Sequence, residues 1–390
     1  MMANARSLMV FYGLFFMFVG VTLPFLPVYY QAIGIAPGRI GVLLSVGPLF
    51  ALVAPPLWGQ VADRSGRPGL VLLVLALGSL VGFGFLLTAS TFEGVLACLA
   101  LFSLFNAATT TVIDSLTLGH VEQHGGSFAG IRSIGSAGFV VATLAFGFFV
   151  DVVDRRVVVV ALALIASYTL WTGLTLARAP AHRKAGPRPD LAQAGRLLSN
   201  PQVRWLLVAS ASHWIASAPY HGTLGLHFEA LGFAPWVLSL SASVAVTSEV
   251  LVFSTWSRWS HRVKPRSLLM LAFAVSAARW AAMGLTTSWV VLVSLAALHG
   301  LSFGAFYVAS ISWVAERAPG SLRSTGQSLF VAATFGLGGL LGFPGSGRLY
   351  GALGGQRLFL LASLAELVPF AVVSLLLVDR SKEPSPQLAA

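Results

Sequence analysis

Charge is what this chain has least of. Aspartate and glutamate together number 13 in 390 residues, and all charged residues make up 9%, against roughly 25% in an ordinary soluble domain. So few charges cannot keep a protein of this size in water. The 56% hydrophobic content therefore has to be buried in lipid as well as in protein. Cysteine is nearly absent: Cys98 stands alone inside an apolar run, which excludes a disulfide framework and a multi-cysteine metal site. The glycine-rich stretches "FGLGGLLGFPGSG" and "IRSIGSAGF" lack the Lys-Ser/Thr ending of a phosphate loop, so no ATPase motor is encoded and uphill work has to draw on an ion gradient or a partner protein. Cys98 has no polar neighbour in sequence, and no serine–histidine pair shares a helix face with an orienting acid, which argues against an enzyme or a bound cofactor.

What the chain does have is long apolar runs. A helix needs about 20 apolar residues to cross a ~30 Å hydrocarbon layer. Such runs recur at 7–31, 38–62, 69–90, 93–118, 127–150 and 156–178, then at 203–231, 234–258, 266–287, 288–317, 323–345 and 356–378. They are too long and too weakly alternating for barrel strands. In lipid the backbone has to satisfy its own hydrogen bonds, so the expected fold is all-α with 12 transmembrane helices. The first run lacks a small-residue cleavage site and continues into "LPFLPVYYQ", the pattern of a retained helix.

The net charge of +11 is explained by placement. Of the 24 basic residues, 17 fall on the side of the chain termini, five (Arg39, Arg155, Arg156, Arg348 and Arg357) on the other, and two, Arg132 and Arg279, inside spans. This asymmetry puts both termini in the cytoplasm and makes the basic excess a topology signal, not a nucleic-acid patch. The polar interval 177–204, rich in proline, glycine and arginine and without apolar period, divides the spans six and six. The expected organisation is an N-terminal six-helix bundle over 1–178, a cytoplasmic linker over 179–202, a C-terminal bundle over 203–378 and a cytoplasmic tail over 379–390. "ERAPGSLRSTGQSLF" at 316–330 matches "EQHGGSFAGIRSIGS" at 122–136, as expected of a repeat transporter with its site between the halves.

Between the second and third runs stands "GQVADRSGRPG", with Gly59, Asp63, Arg64, Gly66 and Arg67 at set spacing. The pattern and its position resemble the signature loop of the major facilitator superfamily. That resemblance implies a gating latch stabilising one of two alternating states. The corresponding stretch of the second half, "STWSRWSHRVKPR", lacks the acid and the glycines.

Charges inside the runs are costly and face cavities or partners. Asp114 and Arg132 lie in the adjacent fourth and fifth runs at similar depth, which suggests a pair. Glu249, Arg279 and His299 come from the eighth, ninth and tenth, and an acid, a guanidinium and an imidazole on three helices can form a network in which one protonation state depends on another.

This constellation, with "IDSL", "GIRSIGSAGF", "YHGTLGLHFEALGF", "SEVLVF", "ARWAAMG" and "LHGLSFGAF", resembles the oligosaccharide and aromatic-acid proton symporter branch of the superfamily, the lactose and phenylpropionate permease types. The resemblance implies that Asp114 and Arg132 flank the substrate and that Glu249, Arg279 and His299 couple protons. Ser302 replaces the lactose permease proton carboxylate, leaving Glu249 as first candidate proton carrier and Asp114 as second, with His299 as relay. Tyr12, Asn106, Tyr220 and His221 are further candidate cavity residues. His213, His227 and Glu229 share the seventh run, where the histidine spacing does not suit a metal, and Glu366 has no assigned role. The expected function is proton-coupled import of an aromatic acid, nucleoside or saccharide by a monomer in a bacterial inner membrane. The alternative is proton-coupled export of drugs or metabolites, against which the fifth run lacks a Gly-Pro motif.

Overall fold

A computed structural model describes residues 4–150, 153–179, 191–318 and 322–378, and every regular element among them is helical. The first half runs α1 (Ala5–Ala32), α2 (Pro37–Ser65), α3 (Pro68–Gly84), α4 (Phe92–Asn106), α5 (Thr109–His124), α6 (Phe128–Phe149) and α7 (Arg156–Trp171). A short α8 (Leu191–Ser199) leads into α9 (Pro201–Ala230), α10 (Pro235–Trp259), α11 (Pro265–Leu285), α12 (Trp289–Ala296), α13 (Phe306–Arg317), α14 (Arg323–Val331), α15 (Gly338–Ala365) and α16 (Leu367–Leu376).

The boundaries are written in local chemistry. Proline opens α2, α3, α9, α10 and α11, where its missing N–H costs no hydrogen bond. Asn4, Thr91, Ser127 and Asn200 cap α1, α4, α6 and α9 by accepting a hydrogen bond from a first-turn N–H.

Ten stretches of the described residues are long and apolar enough to cross a membrane. One of them, Thr325–Leu376, is 52 residues long and is interrupted at Gly354, whose φ of 75° breaks the helix inside it. The 30-residue α9, with three histidines, is not among the ten. Three segments wind as π-helix: Thr172–Leu176, Gly300–Ala305 and Ala332–Leu337.

Two sequence expectations change. The run at 38–62 continues as helix to Ser65, so Gly59, Asp63 and Arg64 ride on the last turns of α2 and only Gly66 (φ 62°) and Arg67 form the turn; left-handed glycine is the usual way to end a helix. The interval 177–204 is not uniformly irregular either, because α8 forms there and buries Leu197 beside α14. Residues 180–190 and the tail 379–390, with Arg380 and Lys382, lie outside the described residues.

Within the first half α1 packs on α6 and α7, and α3 on α4 and α7; within the second, α9 packs on α15 and α16, and α11 on α13, α15 and α16. The halves meet through α2 with α15, α6 with α10, and α1 with α9. Their close approaches gather at one end, beside the turns at 33–36, 231–234 and 354, hereafter the distal end. A Cβ at Gly347 would stand 2.3 Å from the Pro37 carbonyl, one at Gly41 2.2 Å from the Phe343 carbonyl, and one at Gly147 3.0 Å from the Pro235 carbonyl. One hydrophobic core runs from the first half into the distal ends of α9, α10, α11 and α15, whereas a separate core, including Leu206, Phe273, Phe306 and Trp313, fills the opposite end of the second half. The tightest backbone contacts between the halves thus lie at the distal end, while the opposite end of the second half packs on a core of its own.

Candidate functional site

The first charged cluster sits where α1, α5 and α6 meet. Asp114 lies ten residues before the end of α5, about 15 Å at 1.5 Å per residue. Arg132, early in α6, brings Nε to 3.8 Å from Asp114 Oδ1, and the Tyr12 hydroxyl of α1 donates to the same oxygen at 2.5 Å. Thr117, one turn along α5, brings its hydroxyl to 3.2 Å from that of Tyr12, a contact the sequence reading did not include. The guanidinium also lies over the Phe16 ring at 5.3 Å. Asp114 and Arg132 keep 32% and 41% of their side-chain surface accessible, so the pair is not sealed inside its bundle.

The second cluster is tighter. Arg279 is 1% exposed, with its guanidinium stacked on Tyr220 at 4.1 Å and Trp280 at 4.7 Å. Its Nη1 donates to Ser302 Oγ at 3.1 Å and to His299 Nδ1 at 3.3 Å. A guanidinium only donates, so Nδ1 has to accept, and the hydrogen of the neutral imidazole is assigned to Nε2. That nitrogen faces Glu249 Oε2 at 3.8 Å. The order Glu249, His299, Arg279 is thus fixed by donor chemistry as well as by distance. Arg279 Nε and Nη2 find no hydrogen-bond partner among the described residues. Glu249 retains 25% of its side-chain surface, and Arg132 of the first cluster lies within electrostatic reach of it.

The local helix geometry holds the second cluster in register. His299 immediately precedes the π-segment Gly300–Ala305, and such segments commonly re-aim side chains at functional sites. The Gly300 N–H donates to Ser248 Oγ at 2.9 Å, next to Glu249 on α10, and a Cβ at Gly300 would stand 2.4 Å from the Ser248 carbonyl. Gly300→Val is expected to push α10 from this segment, at an overpacking cost of about 1–3 kcal/mol. A lowered thermal midpoint together with a lost Glu249–His299 contact in the variant's structure checks it; an unchanged midpoint would contradict the close fit.

Of the other candidates, His221 joins the second cluster, stacking on Trp214 at 4.5 Å and lying 5.8 Å from His299. Asn106 does not join the first. It lies against Tyr168 inside the first half, because α4 ends at Asn106 and the chain shifts phase before α5 begins. His213 is turned away from both clusters and pairs with Glu366 at 2.9 Å. His227 packs on Phe359, and Glu229 borders a distal cavity of about 200 Å³ with Phe25, Val28 and Leu238. The described residues hold no group of three or more His, Cys, Asp or Glu placed for a metal ion. Asp63, Arg64 and Arg67 are exposed, and Asp63 makes no ion pair with another described residue. Trp280 and Ser217 were missed by the sequence reading; the signal for Trp280 was its place beside a buried arginine.

A helical membrane protein whose halves join at one end and each carry a charged cluster well inside their helices has the build of a solute transporter. The chain belongs to the MFS_1 like family, whose model matches residues 5–361, and so to the major facilitator superfamily of transporters. It is 32% identical over 332 residues to the maltose permease of Geobacillus stearothermophilus, covering 84% of this chain and 83% of that protein. It is 25% identical over 366 residues to the probable 3-phenylpropionic acid transporter of Escherichia coli (strain K12), covering 93% and 95%. The crystal structure of the nucleoside transporter NupG superimposes with a TM-score of 0.81 at 19% identity, over 95% of this chain and 98% of that one. These matches indicate no enzyme family and do not favour the exporter alternative.

Proposed function

We propose that the protein is a proton-coupled symporter that imports a small organic solute by alternating access. The observation that carries this reading is the pair of charged clusters, Tyr12–Asp114–Arg132 in the first half and Glu249–His299–Arg279 in the second, both well inside long apolar helices. In this reading the chain crosses a bacterial inner membrane 12 times, Gly354 marking the turn between the last two crossings, with both termini in the cytoplasm and bundles over 1–178 and 203–378 joined by the linker. In it Asp63, exposed and without an ion pair among the described residues, is the gating latch in its released state. The protein acts as a monomer with the bilayer, protons and solute as its partners.

Glu249 is the first proton carrier and Asp114 the second. Protonation removes the charge of Glu249, solute binds between Arg132 and the Arg279 cluster, and the halves rock. Release of solute inward frees Glu249 to lose its proton to water, with His299 Nε2–H facing the carboxylate and Nδ1 held by Arg279. An aromatic acid fits Arg132 with the Phe16 face as apolar wall, whereas a saccharide or nucleoside uses Asp114 and Arg132 as hydrogen-bond partners.

The test is solute-evoked alkalinisation outside proteoliposomes, screened with 3-phenylpropionate, maltose and uridine. A signal with one of them identifies the class; no signal with any, but proton release on adding hydrophobic cations, overturns import. Tyr12→Phe removes one charge-assisted hydrogen bond to Asp114, worth about 1.5–3 kcal/mol. It is expected to weaken solute binding by about 10- to 100-fold. Equilibrium binding of the identified solute to the variant checks this, and unchanged binding would remove Tyr12 from the site.

A further inference from the structure

One fully buried carboxylate among the described residues is not used by the proposed cycle. Glu366 stands at the junction of α15 and α16 with no exposed surface, a position in which a charge requires partners. It has three. His213 Nδ1 of α9 lies 2.9 Å from Oε2, the Trp280 indole N–H of α11 donates to Oε1 at 3.1 Å, and the Ser217 hydroxyl donates to Oε1 at 3.4 Å. His213 is 2% exposed and packs against the rings of Phe273 and Phe306 at 4.9 and 4.5 Å.

These contacts limit where a proton can be added. Oε1 is occupied as an acceptor by the indole N–H and the hydroxyl. With a neutral imidazole, Nδ1–H donates to the carboxylate and the pair carries one net negative charge. One added proton, on His213 Nε2 or on Glu366 Oε2 with the imidazole hydrogen moved to Nε2, neutralises the pair and leaves the Nδ1···Oε2 contact in place. The titratable and charged groups facing the pair are few. Arg279 of α11 is next to Trp280 in sequence and touches its ring; α13 presents Phe306; the flanking stretches 358–365 and 367–376 contain no titratable side chain apart from serine hydroxyls.

Trp280 connects this pair to the second cluster. Its N–H is held by Glu366, while its ring lies under the Arg279 guanidinium and 5.2 Å from the Tyr220 ring. Arg279, buried and without a carboxylate at ion-pair distance among the described residues, sits between two acids: Glu249 by way of His299, and Glu366 by way of Trp280. His213 also lies within electrostatic reach of His221 and His299. We infer that Glu366 and His213 form a second proton-binding site, sealed from the cavity, whose loading is transmitted to the Arg279 cluster through the Trp280 indole. The proton binding stands without the symport reading; its consequence for transport rests on that reading.

The test needs no solute. Infrared difference titration of the purified full chain, in a Glu249→Gln background, follows the carboxyl C=O and imidazole ring bands. The expected result is a titrating band that is lost in both Glu366→Gln and His213→Asn, and whose midpoint moves in Trp280→Phe, which keeps the ring but removes the N–H. Bands unchanged by Glu366→Gln and by His213→Asn at every pH overturn the site and make the pair a fixed structural contact. A midpoint unmoved in Trp280→Phe overturns the connection. If Glu366→Gln fails to fold, His213→Asn and Trp280→Phe carry the test. Loss of solute-driven alkalinisation in the unmutated protein would sink the symport reading while leaving these bands to be read.

Discussion

Glu249→Gln is expected to abolish solute accumulation in proteoliposomes while solute exchange across the same membrane continues. The amide has nearly the shape of the acid and can still face His299 Nε2, now 3.8 Å from a carboxylate oxygen, so the binding space is kept. What it cannot do is take up a proton. Each proton moved inward releases about 2.3 kcal/mol per 100 mV of membrane potential, enough for roughly tenfold to hundredfold accumulation. In the variant that factor should fall to about one, because no free energy enters the cycle. Exchange needs no net proton movement and should stay within a few-fold of the parent. The paired experiment is Asp114→Asn, which removes the charge that pairs with Arg132 and strengthens the Tyr12 hydrogen bond, and is expected to reduce exchange as well as accumulation. If Glu249→Gln accumulates solute normally and Asp114→Asn keeps exchange but not accumulation, the proton carrier is Asp114 and the assignment of the second cluster is wrong.

Much of this geometry was legible from where the sequence places its few charges. Asp114 and Arg132 could be paired because a short turn joins their helices, so depth counted back from it is reliable, and the structure brings them to 3.8 Å. Glu249, Arg279 and His299 could be grouped because charges in lipid seek one another, but their order could not. It depends on the π-segment that follows His299 and on which nitrogen faces the guanidinium. Asn106 stood out only as a polar residue in an apolar run; the break at 107–108, which sets it against Tyr168, has no sequence signal of its own. Glu366 was visible as an anomaly but not as a partner of His213, since the two are 153 residues apart and meet only through the packing of α16 on α9. The glycines of α15 read as a packing surface, and what they pack against, Gly41 and Pro37, is a contact between halves that no local pattern announces.

That contact gives the second large effect. Gly347→Leu is expected to force the distal ends of α2 and α15 apart and shift the molecule towards the state closed at the termini end. The space for a side chain is absent: a Cβ would lie 2.3 Å from the Pro37 carbonyl and 3.0 Å from the Gly41 Cα, backbone atoms that cannot rotate away. Overpacking of this kind costs about 1–3 kcal/mol, which would fall on one state only and so change the ratio of states about 5- to 150-fold. Spin labels at Ser65 and Arg323, on the termini ends of α2 and α14, in a Cys98→Ser background, report the change as a shorter distance. Transport by the variant should slow, since leaving the distal-open state would require the close approach the leucine forbids. An unchanged distance with unchanged transport would mean that the seam at Gly347 does not separate the alternating states. A collapse of the labelled protein in both orientations would instead mean that the helices, joined by the distal core, cannot part there without unfolding, and the moving boundary would have to be sought along α6 and α10, where Gly147 meets Ser239.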